Sequence, residues 1–359
     1  MGKIGMTTNA PIPLVEVTRG RIVESIHYGS VCIEQPDAKP LFSIGDNQTK
    51  FFLRSSAKPF QALAFLERGG ADHYNLEAHE IALMCASHSG TASHIEALKA
   101  LQRKIGIDES DLLCGAHYPF SQDSTNQMIA QGKAPTPNHN NCSGKHTAML
   151  AFARMIGAPL DGYLDPSHPV QQAILATFAE MCSYNQEEIE LGTDGCTAPV
   201  FAVPLANAAL AYAHLCQPEG LPEKRAKACQ LISAAMFSHP DMVAGPQRFD
   251  TDGMAVGRGA FISKAGAEGY RAIGTLTGKT DKTPTSLGIT LKISDGDPNL
   301  RAGAVVVIAL LKALNVFSKE GAAKLQAYDQ RPITNWLGKK VGEIRPSPKF
   351  LQAIKEQLL

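Results

Sequence analysis

Phe51-Phe52-Leu53-Arg54-Ser55-Ser56-Ala57-Lys58-Pro59-Phe60 reads as the end of an apolar strand running straight into a helix. After Lys58, apolar residues fall at Phe60, Leu63, Phe65 and Leu66, and Gly69-Gly70 stops the pattern as a helix C-terminus does. Pro59 is tolerated there because the N–H groups of a first helical turn have no partner inside the helix. Ser55 and Lys58 stand three apart, which puts them on one face of a helical turn with side chains in reach of each other. A serine beside a lysine is a nucleophile beside a potential base. Taken alone, the same residues more commonly make a serine cap followed by a surface lysine. The rest of the chain has to decide between the two.

Upstream, residues 13–53 carry Val, Ile, Tyr and Cys in short runs broken at Gly20, Gly29 and Pro36, a strand meander. Downstream, from Ser55 to about Ser238, the signals are helical: 76–86, 93–104 with Ser93 and Glu96 as a capping box, 144–156, 169–182, 204–216 and 222–237. Strand chemistry returns at 259–262, 270–274 and 287–293, then a helix at 300–317 and two shorter ones in the tail. This order predicts an α+β (mixed α/β) fold, with a sheet built from both chain ends around a helical insertion. The expected division is a discontinuous sheet domain, 14–60 with 245–359, and a mostly α-helical domain, 61–244, with the active site between them. Residues 118–141, rich in Pro, Asn and Ser, read as a long loop.

Composition bounds the partners. The 359 residues are 44% hydrophobic and 19% charged, which is globular composition with enough chain for a large core. Lys+Arg and Asp+Glu are both 34, so the net charge is near zero and no basic stripe offers itself to nucleic acid or to an anionic membrane surface. Small molecules are the expected partners. Residues 1–13 lack a signal-peptide pattern, position 6 is Met where myristoylation needs Ser or Thr, and the apolar run 302–311 is too short to span a bilayer. A soluble cytoplasmic protein is the expectation.

The eight cysteines form no C-x-x-C pair and read as thiols rather than a disulfide framework. Cys85, Cys182, Cys216 and Cys229 sit in helical apolar patterns as small hydrophobes. Cys142 and Cys196 do not. Asn140-Asn141-Cys142-Ser143-Gly144-Lys145-His146 opens a helix, and Thr193-Asp194-Gly195-Cys196-Thr197-Ala198-Pro199 is a polar loop. Two loop cysteines with His, Lys and Asp nearby can form a metal site, although the spacing is no standard zinc signature. A phosphate loop is rejected, because His146 follows Lys145 where Ser or Thr is needed and position 139 is His. Two further stretches carry polar groups at element ends: Ser87-His88-Ser89-Gly90 between predicted helices, and Ser263-Lys264-Ala265-Gly266-Ala267-Glu268-Gly269 in a predicted turn between strands. Each alone reads as an ordinary turn.

Together, Arg54-Ser55-Ser56-Ala57-Lys58-Pro59, Ser87-His88-Ser89-Gly90, Asn141 to His146, Asp194 to Pro199, Met242-Val243-Ala244-Gly245 and Lys264 to Gly269 resemble the class 3 (rhizobial-type, asparaginase II-like) L-asparaginases, over about residues 15–314. That family is related in fold to serine β-lactamases and glutaminases, and S-x-x-K, S-x-S and K-x-G follow in the usual order. The resemblance implies an L-asparagine amidohydrolase, a homodimer as in that family, acting on a small-molecule substrate with no nucleic-acid or membrane partner. It implies Ser55 as nucleophile with Lys58 beside it, Ser87 coupled to Lys264, and Arg54, His146 and Asp194 near the substrate. It also implies zinc on Cys142, Lys145 and Cys196. A free lysine has a pKa of about 10.4 and is a poor base, so Lys58 is expected to be tuned down by burial and by the like charge of Lys264. Two other readings stay open: a glutaminase or penicillin-recognising hydrolase on the same scaffold, and a non-catalytic protein in which zinc staples two loops.

Overall fold

The computed structural model describes residues 10–359; the N-terminal reading above therefore lies largely outside the described residues. Eleven strands are formed among them: β1 (Ile12–Arg19), β2 (Ile22–Glu34), β3 (Pro40–Ile44), β4 (Lys50–Phe52), β5 (Glu190–Thr193), β6 (Pro199–Pro204), β7 (Phe261–Ala265), β8 (Tyr270–Thr275), β9 (Leu287–Ile293), β10 (Arg331–Thr334) and β11 (Lys340–Pro346). The main sheet has eight strands in the order β10-β11-β1-β2-β9-β8-β7, with β3 paired to β2 off that path, and all its pairings are antiparallel. Strands from the two ends of the chain lie side by side, β1 and β2 between β11 and β9. The fold is α+β, as the alternation of sequence patterns predicted.

The β1–β2 hairpin turns at Gly20-Arg21, where Gly20 takes φ 57° and Arg19 pairs with Ile22. A first central residue with positive φ matches the right-handed twist of the flanking strands, and glycine adopts it without strain. The three-stranded sheet β4-β6-β5 joins the end of the N-terminal meander to residues 190–204. Its β4 leads directly into the Arg54–Ala57 turn and the helix Lys58–Leu66.

The helix Leu205–Cys216 lies flat on the sheet because both surfaces are small. A Cβ on Gly288 would come within 1.7 Å of the Ala209 carbonyl oxygen, and one on Gly274 within 2.4 Å of Cys216 Sγ. Thr290 and Ser286 fasten the two by donating to the Leu205 and Ala213 carbonyls, both at 2.8 Å. Gly288→Ala drives a methyl into helix backbone that has nowhere to move, so a loss of about 3 kcal/mol is expected in urea unfolding.

Four expectations are corrected. The helix Ala92–Ile105 is capped by Thr91 with His94 as its box partner, not by Ser93 with Glu96; the His94 ring is also tied to the Asp241 carbonyl at 2.9 Å. The stretch 118–141 is not one loop. It holds the helix Gln122–Ala130, capped by the Ser121 hydroxyl, and a short turn at Pro137–His139. The last apolar helix is shorter, Gly303–Ala313, because the Asp297 carboxylate takes the N–H groups of Arg301, Ala302 and Gly303 and sets the start. Finally, the tail holds more than the helices Lys319–Lys324 and Pro348–Leu358: β10 and β11 form a hairpin that joins the sheet at β1.

The core is continuous through sheet and helices, and all eight cysteines are buried as free thiols. Among the described residues no helix is long and apolar enough to cross a membrane.

Candidate active site

The strand-to-helix junction is locally unusual. Arg54 has φ 52°, a left-handed conformation that a non-glycine residue rarely takes without support. The support is an ion pair: Arg54 Nε donates to Asp194 Oδ1 at 2.8 Å, crossing from the first turn to the loop before β6. Burial raises the Asp194 carboxyl, but the Lys145 charge and the Arg54 hydrogen bond and charge outweigh it and hold the group below the usual range. Ser55 follows, half-buried, and Ser56 is fully buried with its hydroxyl on the Lys264 carbonyl at 2.8 Å. Tyr212 donates to the Ser56 carbonyl at 2.7 Å, so the turn is bolted to the helix that lies on the sheet.

Lys58 enters the molecule at the first turn of its helix and is wholly buried. Its Nζ donates to the Ala86 carbonyl at 2.6 Å, to Ser87 Oγ at 3.0 Å and to the Asn141 carbonyl at 3.4 Å. Ser55 is not among its hydrogen-bond partners. The i, i+3 spacing that suggested a direct Ser55–Lys58 pair puts both on one side of the turn, yet the four-carbon stem carries the amine on to Ser87. Lys264 lies in β7, not in the turn after it, and the turn is 266–269. From the strand, its Nζ donates to Ser87 Oγ at 2.8 Å and to the Ala265 carbonyl at 3.0 Å. Two buried amines therefore share one hydroxyl. Ser87 itself is fixed by its N–H, which donates to the Val243 carbonyl at 2.9 Å, and Ser89 Oγ donates to the next carbonyl, Ala244, at 2.7 Å.

Electrostatics follows from that crowding. Burial, then the charge of Lys58, pushes the Lys264 amine down to about 7. Lys58 is also lowered, chiefly by burial, with the Lys145 charge adding to it, and the Lys58–Lys264 repulsion across Ser87 acts on both amines. Burial and like charge thus both favour a neutral amine at this site.

Behind β7 lies Asp250, a fully buried carboxylate that no motif pointed to. It accepts from Ser263 Oγ at 2.8 Å, the Ala265 N–H at 2.8 Å and Arg271 Nη1 at 3.1 Å. Burial raises its carboxyl, while the Arg271 and Lys264 charges outweigh that and keep it ionised. Asp250 thus fixes the strand that presents Lys264. His88, also buried, accepts the Gly90 N–H on Nδ1 at 3.1 Å and approaches Ser143 Oγ with Nε2 at 2.8 Å, linking the Ser87 turn to the helix Ser143–Met155.

Cys142, Lys145 and Cys196 come together. Cys142 precedes that helix, Lys145 lies in its first turn and Cys196 in the loop of Asp194; all are buried, and Lys145 Nζ donates to Cys196 Sγ at 3.0 Å. The neighbouring Cys196 thiol outweighs burial and, with the charges of Lys58 and Lys145, holds Cys142 well below the usual thiol range. Cys196 is raised, first by its Cys142 neighbour and then by burial. The Lys145 ammonium is favoured because the charges of Cys196 and Cys142 outweigh burial. Among the described residues no group of three or more His, Cys, Asp or Glu is placed to hold a metal ion. Two sulfurs and one nitrogen converging in a buried site fit the thiolate-and-nitrogen preference of zinc, provided the amine gives up its proton. His146, the next residue on the helix, faces away from this trio toward Tyr163, with Nδ1 2.6 Å from its hydroxyl.

Of the ten residues singled out in the sequence, Lys58, Ser87 and Lys264 are hydrogen-bonded together, Lys145 meets Cys196 beside Cys142, and Arg54 pairs with Asp194, while His146 turns to Tyr163 and Ser55 stands at the turn without a hydrogen bond to Lys58. Asp250 and Tyr163 were missed, and Asn141, quoted within its motif, was given no role.

The family model of L-asparaginase II matches residues 15–346, and the chain belongs to that family. No curated protein matches the sequence. Among solved structures, it is similar to a Bacillus subtilis glutaminase in covalent complex with 5-oxo-L-norleucine, at 10% identity over 75% of this chain and 81% of that one, TM-score 0.35. It is similar also to a β-lactamase from Sphaerobacter thermophilus, at 15% identity over 84% and 91%, TM-score 0.37.

Proposed function

We propose that the chain hydrolyses L-asparagine to L-aspartate and ammonia through a Ser55 ester. The observation that carries this reading is the buried chain of amine, hydroxyl and amine, Lys58–Ser87–Lys264, beside a half-exposed serine. Neutral Lys58 takes the Ser55 proton as Oγ attacks the side-chain amide carbon. The negative oxygen is held by backbone N–H groups at the turn, that of Ser55 among them. The tetrahedral adduct collapses, the C–N bond breaks, and the leaving nitrogen takes the proton from Lys58 to depart as ammonia. A water then gives its proton to Lys58, its oxygen attacks the ester carbon, and Ser55 recovers its hydrogen as aspartate leaves. Ser87 passes protons between Lys58 and Lys264, so the pair holds one mobile proton near neutral pH. Arg54, Asp194 and His146 position the amino acid.

Cys142, Lys145 and Cys196 would hold zinc as two thiolates and a neutral amine. When bound, it supplies a Lewis-acidic centre for substrate oxygen. In this reading the metal site tunes affinity. Cys142→Ala and Cys196→Ala are expected to raise KM about tenfold or more with kcat changed less than about threefold, while a fall in kcat at constant KM would rule that role out. The family resemblance supports a cytoplasmic homodimer, which light scattering on the purified protein checks.

One observation favours a second reading: Ser87, not Ser55, accepts hydrogen bonds from both amines. In that reading Ser87 attacks. Side-by-side turnover of asparagine, glutamine and a β-lactam tests the substrate; the proposal requires asparagine to be hydrolysed with the highest kcat/KM.

A further inference from the structure

Tyr163 takes no part in the mechanism above, yet its hydroxyl meets His146, one of the residues assigned to position the substrate. His146 is fully buried, its Nδ1 lies 2.6 Å from the Tyr163 hydroxyl, and that hydroxyl also accepts the Leu113 N–H at 3.0 Å. His146 Nε2 is buried and has no hydrogen-bond partner among the described residues.

Two proton arrangements satisfy the 2.6 Å contact. If Nδ1 carries the hydrogen, the Tyr163 oxygen accepts from both His146 and Leu113, its own O–H is left with no acceptor, and Nε2 is a bare acceptor. That leaves two buried groups unpaired. If Tyr163 donates to Nδ1, the hydroxyl is satisfied in both directions and only the Nε2–H remains. Unpaired buried polar groups are costly and rare, so the second arrangement wins. A tautomer is set by what the other ring nitrogen does, and here that nitrogen is filled by a phenol.

We infer that Tyr163 is a positioning residue that fixes His146 as the Nε2–H tautomer, so that His146 offers one hydrogen-bond donor, and no lone pair, to an oxygen of the substrate. This rests on the amidohydrolase reading for its substrate: a carboxylate or amide oxygen fits such a donor, and an ammonium group does not. Tyr163 is well suited to the task. Its ring is buried, and its own carbonyl accepts from Gln171 Nε2 at 2.8 Å, so the position of the hydroxyl is determined from both sides of the residue.

Tyr163→Phe deletes the hydroxyl and keeps the ring. In nitrogen-15 spectra of His146, the wild type is expected to show a single neutral tautomer with hydrogen on Nε2, and Tyr163→Phe a mixture of the two. In ammonia-release assays the variant is expected to raise KM for L-asparagine about two- to threefold, the factor by which the competent tautomer is depleted, with kcat unchanged. In a His146→Ala background, Tyr163→Phe is expected to add no further change in KM. Hydrogen on Nδ1 in the wild type overturns the inference, as does a variant with unchanged tautomer and KM. A KM effect that persists without His146 overturns it too. If the wild type hydrolyses no asparagine, the asparaginase reading fails, and the nitrogen-15 result still decides the Tyr163–His146 claim. It needs no turnover, and the wild-type spectrum needs no variant that folds.

Discussion

Ser55→Ala should lower kcat for asparagine by about 10³–10⁵ and leave the melting temperature where it was. The serine is half-exposed, and its hydroxyl is not what holds the turn. That task falls to the Arg54–Asp194 ion pair at 2.8 Å, the Ser56 hydroxyl on the Lys264 carbonyl at 2.8 Å, and Tyr212 on the Ser56 carbonyl at 2.7 Å. Removing one oxygen atom from Ser55 therefore removes the nucleophile and little else. Ser87→Ala is a different experiment. It strands two buried amines that both use its oxygen, at 3.0 and 2.8 Å, and is expected to cost stability as well as rate. Comparing kcat and melting temperature for the two variants separates the two candidate nucleophiles. If Ser87→Ala alone abolished turnover while Ser55→Ala kept it, the attack would belong to Ser87.

Lys264→Met should abolish turnover and raise stability at the same time. Holding the Lys264 amine at about 7 instead of its ordinary 10.5 corresponds to roughly 4–5 kcal/mol of disfavoured charge, at the rate of about 1.4 kcal/mol per tenfold. Methionine fills nearly the same volume without a charge and surrenders two hydrogen bonds, so a net gain of about 2 kcal/mol is expected at pH 7 and below. The sign with pH follows from proton counting. Between about 7 and 10.5 the unfolded chain holds a proton on Lys264 that the folded chain has released. Wild-type stability from this group therefore rises with pH across that window and is lowest, and level, below about 7. The methionine variant lacks the slope, so its advantage over wild type shrinks as pH rises toward 10. For the wild-type enzyme the same amine must be neutral to accept protons, so kcat/KM is expected to fall as pH drops below about 7. A Lys264→Met protein that is less stable than wild type at pH 7 would show that Lys264 packs as an ordinary lysine.

Much of this was legible along the chain, and the rest was not for physical reasons. Strand alternation at both ends and helical periodicity between them are local signals, and they led to the main sheet. The hairpin of β10 and β11 escaped because its residues, Lys339-Lys340 and Glu343 among them, are polar on the open face and the strands bury only alternate positions. Ser55, Lys58, Ser87 and Lys264 could be singled out by spacing, but not how they pair. Ser55 and Lys58 are close in sequence, whereas the bond that Lys58 makes is to a serine 29 residues away. Helical spacing reports which face a side chain leaves from and says nothing of where a long flexible stem ends. Asp250 and Tyr163 bear no motif at all. Each is defined only by partners from distant segments, Ser263 and Arg271 for the one, Leu113 and His146 for the other. The Arg54–Asp194 pair is similar: both residues were singled out, and the positive φ that their contact sustains was not visible in the sequence.

The central claim is a covalent ester on Ser55. It is tested most directly by acid-quenching the wild-type enzyme during turnover of L-asparagine and mapping the acylated peptide by mass spectrometry. The account predicts an aspartyl group on the peptide carrying Ser55, absent in Ser55→Ala. The same group on the peptide carrying Ser87, or turnover of asparagine by Ser55→Ala at the wild-type rate, would contradict it.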